Sequence, residues 1–258
     1  EGRWRGHRTF LVDGSSFSMP DTPELQEYFS QPHGQRPGCG FAVAHLLALF
    51  HAGTGFLLEV LAAPWHTHDM AQVATLHAAL RPGDVLVGDR AFCSFVHLAL
   101  LRQQGHHAVF RIHQKQIVDF TPSRPHTTPK ASGARKGLPR SRWLRQLGVT
   151  DQLVEWVKPV RLHVHPPAWM TPELFGALHD VRCVRELRYR VAPAGFRTQT
   201  VTLVTTLLEL DLYPADALAE LYQMRWQVEI NLRHLKQTMG LEVLHCQSLV
   251  GVLKELTV

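Results

Sequence analysis

No stretch of this chain is apolar over the length needed to span a bilayer, so a helical membrane protein is excluded. The first residues, Glu1-Gly-Arg-Trp-Arg-Gly-His-Arg8, are polar and lack the apolar centre of a signal peptide. Cysteine is scarce: Cys39, Cys93, Cys183 and Cys246 lie far apart and form no C-x-x-C pair. That argues against a disulfide scaffold and for a reduced, cytoplasmic protein whose thiols are ordinary buried side chains. Histidine is plentiful, but His66-Thr-His68, His106-His107 and His163-Val-His165 have no companion cysteines or carboxylates at zinc-site spacing. Solvent-facing or strand-end histidines are the simpler reading.

Acidic residues are nearly missing from one long segment. Between Arg111 and Arg145 only Asp119 stands against Arg111, Lys115, Arg124, Lys130, Arg135, Lys136, Arg140, Arg142 and Arg145. The segment carries about +8 of a formal net charge of +5, so the rest of the chain sums to about −3. It is also rich in Pro, Ser, Thr and Gly. A flexible cationic loop of this kind suits sequence-independent contacts to a nucleic-acid backbone. The competing reading is an ordinary solvated loop.

At 258 residues with 45% hydrophobic content, the chain can bury a sizeable core. It does not begin with Met and ends inside an apolar stretch, Leu249 to Val258, so it reads as a piece of a longer protein.

Thr9-Phe-Leu-Val12 is a short β-type run ending in Asp13-Gly14. An Asp at the end of a buried strand is well placed to bind a metal; the alternative is a turn-forming Asp-Gly pair. Ser15 to Gly40 reads as a loop, with Asp21 a poorer ligand candidate. Gly40 to Phe50 and Gly55 to Ala63 form a predicted hairpin. Thr67 or Asp69 could cap a helix running to Leu80. Val85 to Val87 is a second buried strand, with Asp89 at its end. Ser94 caps a helix from about Phe95 to Gln104, and His107 to Ile112 is a strand. Leu153 to Val160, Val181 to Val191 and Thr198 to Leu208 are β-rich, the last two joined by a turn at Ala192-Pro-Ala-Gly195. The pattern predicts an α/β fold with a mixed sheet and a largely β insertion. Trp143, Trp156, Trp169 and Trp226 could stack on unpaired bases, though a core role is the default for each.

A long helix is predicted from Pro214 onward. In it Tyr222, Arg225, Glu229 and Lys236 are separated by steps of 3, 4 and 7, which place all four on one helical face. Leu221, Met224, Val228, Leu232 and Leu235 form an apolar stripe beside them. One carboxylate flanked by two cations and a phenol suits a site holding a divalent metal together with a phosphate. The bland alternative is a surface helix with Arg–Glu and Glu–Lys ion pairs. Asp13, Asp89 and Glu229 taken together shift the balance. Three carboxylates can hold two divalent cations roughly 3.5–4 Å apart for in-line attack on a phosphodiester. Oxygen-only ligation favours Mg²⁺ or Mn²⁺ over zinc.

The segment Tyr222-x2-Arg225-x3-Glu229-x6-Lys236 resembles, in every spacing, the Tyr-Arg-Glu-Lys signature of the insertion-sequence-four family of DDE transposases. Val12-Asp13-Gly14-Ser15 and Val87-Gly-Asp-Arg-Ala-Phe92 resemble that family's two aspartate motifs. The resemblance runs from about residue 8 to about 245. It implies a ribonuclease-H-like core, with its first part at 8–112, a basic loop and β-rich insertion at 113–212, and the glutamate helix at 213–250. It implies that Asp13, Asp89 and Glu229 bind two Mg²⁺ or Mn²⁺ ions. It further implies that Tyr222, Arg225 and Lys236 contact phosphates of double-stranded DNA at the transposon ends. The implied activity is cut-and-paste transposition: cleavage at the element's end, then attack of the freed 3′-hydroxyl on target DNA, by a homodimer in a synaptic complex. A bacterial cytoplasmic location, at the nucleoid when DNA is bound, follows. The resemblance also implies that N- and C-terminal regions of the full protein are missing here. Two other readings remain: a non-catalytic DNA-binding remnant of a mobile element, and a stand-alone two-metal nuclease.

Overall fold

The computed structural model describes residues 2–32, 34, 36, 40–127, 137–161, 166–191, 199–238 and 243–256, with the side chains of 235–238 excepted. The strands are β1 (Arg3–Trp4), β2 (His7–Ser18), β3 (Val43–His51), β4 (Leu57–Pro64), β5 (Val85–Gly88), β6 (His107–Arg111), β7 (Arg142–Gly148), β8 (Asp151–Val157), β9 (Val181–Val191) and β10 (Gln199–Thr205). The helices are α1 (Pro23–Phe29), α2 (Asp69–Leu76), α3 (Phe95–Gln103), α4 (Pro172–Ala177), α5 (Ala215–Gln223), α6 (Arg225–Thr238) and α7 (Leu249–Glu255). No helix among the described residues is long and apolar enough to cross a membrane.

One sheet runs through the molecule in the order β4-β3-β2-β5-β6-β10-β9-β8-β7, with β1 paired to β2. The meander β2-β3-β4 is antiparallel, as the predicted hairpin requires. β5 and β6 then join parallel to β2, because α2 and α3 carry the chain back across the sheet between them. This mixed sheet flanked by helices is the ribonuclease-H-like arrangement. Strands β7 to β10 extend the same sheet beyond β6, through the antiparallel pair Leu203↔Arg111.

Alternation along the strands divides the interior into two layers. Phe10, Val12, Leu86, Phe110 and Val154 face α2, α3 and α4. Leu11, Val85, Val87, Val109, Leu187 and Leu203 face α5 and α6, where Leu218, Leu221, Tyr222, Val228 and Leu232 cover them. Burying each large apolar side chain contributes about 1.5–3 kcal/mol. A third cluster, around Met19, Phe29, Leu244 and Val252, ties α1 and α7 to the end of the meander.

Several elements differ from the sequence expectation. β2 does not stop at Val12 but continues to Ser18, because β3 pairs with it from Phe10 to Ser18. Pairing with β5 does end there, at Val12↔Gly88. Asp13 therefore stands inside a strand, at the point where the sheet opens on one side, and Asp13-Gly14 makes no turn. α2 is capped by His68 without a side-chain bond, not by Thr67 or Asp69, and a 3₁₀ turn at His77–Ala79 follows it. Asp69 instead pairs with His45 at 2.7 Å. A Cβ on Gly14 would come within 2.6 Å of that carboxylate, which is why glycine follows Asp13. Ser94 caps α3 as expected, accepting from the His97 amide.

The cationic segment is less loop-like than its composition implies. Arg142–Gly148 is an edge strand carrying two register shifts. These bulges break the period-two pattern that would have revealed it, and exposed arginines on an edge oppose unwanted strand pairing. Arg124 is buried and donates to the Asp119 carbonyl, the Ser141 carbonyl and the Ser141 hydroxyl, so it is a structural clamp rather than a phosphate contact. Arg142 pairs with Glu155. Lys130, Arg135, Lys136, the turn at 192–195, Cys39, His163 and His165 lie outside the described residues. The other three cysteines are free thiols.

A buried histidine pair crosses the α2/α3 layer. His97 Nδ1 donates to the Phe92 carbonyl at 2.8 Å, and its Nε2 lies 3.1 Å from His77 Nε2. Burial pushes His97 down to about 3 and His77 down to about 4. Both stay neutral in the fold, whereas the unfolded chain protonates its histidines below about pH 6.5. Stability is therefore lost as pH falls from about 6.5 toward 4, by about 2 kcal/mol per buried histidine at pH 5. Urea unfolding at pH 7 and pH 5 reads this loss, and His97→Phe should flatten it. An unchanged slope in that variant would place the acid sensitivity elsewhere.

Candidate active site

Asp13, Asp89 and Glu229 come from three separate elements. On β2, Asp13 alternates with Leu11 and so faces the α5/α6 layer. On β5, Asp89 directly follows Gly88 and alternates with Val85 and Val87 onto the same face. The pair Val12↔Gly88 makes Asp13 and Asp89 neighbours across the opening of the sheet. Gly88 allows close packing there: a Cβ would lie 2.8 Å from the Phe92 ring and 3.0 Å from Val12. Asp89 Oδ1 accepts from the Ala91 amide at 2.7 Å, which fixes the start of the following loop.

Glu229 reaches the pair from above. The long helix expected over this region is interrupted at Met224, where the Gln227 amide bonds back only three residues, so Tyr222 lies in the last turn of α5 while Arg225 begins α6. The interruption keeps the backbone helical, with Met224 at φ −58° and ψ −19°, so the expected face survives for Tyr222, Arg225 and Glu229. Leu221, Val228 and Leu232 are buried as the stripe requires, but Met224 is exposed at the jog. Asn231 anchors α6 to the meander through the Gly55 carbonyl at 3.3 Å. The side chains of Leu235 and Lys236 lie outside the described residues.

Arg225 sits between the acids. Its Nη1 donates to Asp13 Oδ2 at 3.0 Å and its Nη2 to Glu229 Oε1 at 2.9 Å. The anticipated Arg–Glu pair on the helix surface therefore exists, and it extends across to the sheet. The Asp13 carboxyl is pushed up to about 6, chiefly by burial. Arg225 and the Gly14 amide pull it down, while the Asp89 and Glu229 charges push it further up. Asp13 thus feels the charges of both other acids. The oxygen-only donor set of the three suits a hard divalent ion. The spacing does not match the donor set: among the described residues no three acid, histidine or cysteine groups stand close enough to hold one. The guanidinium occupies the space between two of them.

Beside this cluster is a cleft of about 720 Å³ bounded by Arg111, Tyr189, Arg190, Tyr222, Arg225 and Trp226. The Arg225 guanidinium lies 5.9 Å from the Tyr222 ring centre and 5.8 Å from that of Trp226. Trp226 is 53% exposed. By contrast, the Trp156 indole donates to the buried Glu186 carboxylate and the Trp169 indole to the Met70 carbonyl, as core residues do. Trp143 is half-buried on the edge strand, its indole near Gln146. Burial raises the Tyr222 phenol, against Arg225 and Arg111, which lower it. Arg111 and Tyr189 were not singled out from sequence as site residues. Only strand register, alternation with Val109 and with Leu187, puts them on this face. Asp21 is not part of the cluster; it accepts from the Gln26 side chain on the surface.

The fold and site define a mixed α/β domain that gathers three acids at the opening of its central sheet, next to a cationic aromatic cleft. The chain belongs to the family described as Transposase DDE domain, whose match covers residues 4–258. It is also similar to the Escherichia coli (strain K12) protein named "Putative transposase InsZ", with 29% identity over 103 residues. That stretch is 40% of this chain and 34% of the relative, so the chain spans about a third of the relative's length.

Proposed function

We propose that this chain is the catalytic domain of a cut-and-paste transposase of the insertion-sequence-four branch. It would cleave DNA at the ends of a mobile element and join the freed ends to target DNA. The observation that carries this reading is the gathering of Asp13, Asp89 and Glu229, from β2, the end of β5 and α6, onto one face of the sheet beside Arg225. Both steps of the reaction are in-line displacements at a phosphodiester, and three carboxylates on one face of the sheet beside a cationic cleft suit them.

In this reading Asp13, Asp89 and Glu229 hold the divalent ions, Mg²⁺ or Mn²⁺. When bound, such ions activate the attacking oxygen and neutralise the leaving one. Tyr222, Arg225 and Lys236 hold the phosphates of the element's end. Exposed Lys115 and Arg140, which line a second cleft of about 520 Å³ next to Ser94, serve the DNA backbone further out. The division into a core at 8–112 and 213–250 with an insertion at 113–212, a homodimer in the synaptic complex, and a cytoplasmic location at the nucleoid belong to the same reading.

The test is incubation with duplex DNA carrying the terminal repeats of the element and Mn²⁺. Nicking at the repeat end and strand-transfer products are expected. DNA binding without nicking would assign the chain to a DNA-binding remnant, and nicking without strand transfer to a stand-alone nuclease.

A further inference from the structure

We infer that Arg225 is an internal cation: it closes the acid cluster when no metal is bound, and exchanges its carboxylate partners for a DNA phosphate when divalent ions enter. The phosphate half of this inference rests on the transposase reading; the carboxylate half rests on geometry alone. One guanidinium joins Asp13 of β2 to Glu229 of α6, two residues far apart in sequence, at 3.0 and 2.9 Å. It is 11% exposed, and its Nε has no hydrogen-bond partner among the described residues. Its hold on the two acids therefore comes from its two outer nitrogens.

A divalent ion shared by these acids needs the oxygens that the guanidinium now engages. With the arginine left in place, the ion would be repelled by a cation in contact with its own ligands. Arg225 stands directly after the jog at Met224, with the Tyr222 and Trp226 ring centres 5.9 and 5.8 Å from its guanidinium. The cleft it borders already contains Arg111 and Arg190. A third cation released into it is stable only if an anion is there to receive it. Metal entry and phosphate entry therefore favour each other, and linkage makes the effect reciprocal.

The first experiment measures Mn²⁺ affinity by calorimetry, without DNA, for the whole chain as wild type, Arg225→Met and Arg111→Met. Arg225→Met should tighten Mn²⁺ binding about tenfold, within the usual range of coupling between sites. Arg111→Met removes the same charge from the same cleft and should change affinity by about twofold or less, because Arg111 makes no hydrogen bond to the acids among the described residues. Unchanged or weaker binding in Arg225→Met, or equal tightening in both variants, overturns the inference. If Arg225→Met does not fold, Arg225→Lys keeps the charge but loses the two-armed bridge, and should show part of the tightening.

The second experiment follows wild-type binding to a labelled DNA duplex by fluorescence anisotropy, with and without Ca²⁺ as a hard ion. Ca²⁺ should tighten DNA binding about tenfold, and Arg225→Met should lose that dependence. DNA binding that ignores Ca²⁺ overturns the exchange while leaving the transposase reading in place. Tightened Mn²⁺ binding in Arg225→Met with no DNA binding by any form overturns both.

Discussion

Glu229→Gln should lower Mg²⁺-dependent strand cleavage by about a hundred- to a thousandfold or more while leaving the fold intact. The substitution keeps the size of the side chain and an amide oxygen that can still accept from Arg225 Nη2, so α6 remains tied to the sheet. On the transposase reading proposed above, what is lost is a full negative charge that would help balance charge in the transition state, and removing one such electrostatic partner costs about 10²–10³ in rate. The carboxylate is 38% exposed, so its pairing with Arg225 contributes at most about 1 kcal/mol of stability. A cleavage time course read beside a thermal melt separates the two effects. Full activity in the variant removes Glu229 from the mechanism, and a collapsed melt shows that it serves the fold.

The largest effect on stability is expected away from the site. Arg185 on β9 is fully buried, its Nε and Nη2 donating to the Asp151 carboxylate of β8 and its Nη1 to the Tyr213 carbonyl at 2.5 Å. Asp151→Ala would leave that guanidinium buried without its counter-charge. Breaking a buried pair from one side costs about 3–5 kcal/mol. For a chain of this size, that lowers the melting midpoint by roughly 10 °C. Replacing both partners with apolar residues, Asp151→Leu with Arg185→Met, should recover much of the loss, since burying the two charges is itself costly. A double variant no more stable than the single one would mean that the Tyr213 contact, rather than the ion pair, holds this end of the sheet.

Much of the architecture was readable in residue patterns because the patterns were local. The hairpin at β3 and β4, the short buried β5, the Ser94 cap and the alternation of β9 each rest on neighbours within a few residues. Three features were not readable, for three physical reasons. The extension of β2 through Asp13 to Ser18 depends on β3 pairing from elsewhere in the chain. β7 was hidden by bulges that break alternation and by arginines suited to an edge. The jog at Met224 leaves the backbone helical, so helical spacing gave no sign of it. Arg124 taught a related lesson: composition counted it among cations free for DNA, while burial made it a backbone clamp.

By itself the sequence determined which residues face together within one element. Tyr222, Arg225 and Glu229 share a helical face because a helix repeats about every 3.6 residues, whatever surrounds it. It also supplied two aspartates, each directly after a short run of buried β-type residues. The tertiary structure decided what those faces meet. Parallel pairing of β5 with β2 set Asp89 beside Asp13, and packing of Val228 and Leu232 on the sheet brought Glu229 over them. The same packing drove Arg225 between Asp13 and Glu229. Spacing along one helix could not reveal that contact, because its partner lies 212 residues away and only the register of the sheet delivers it.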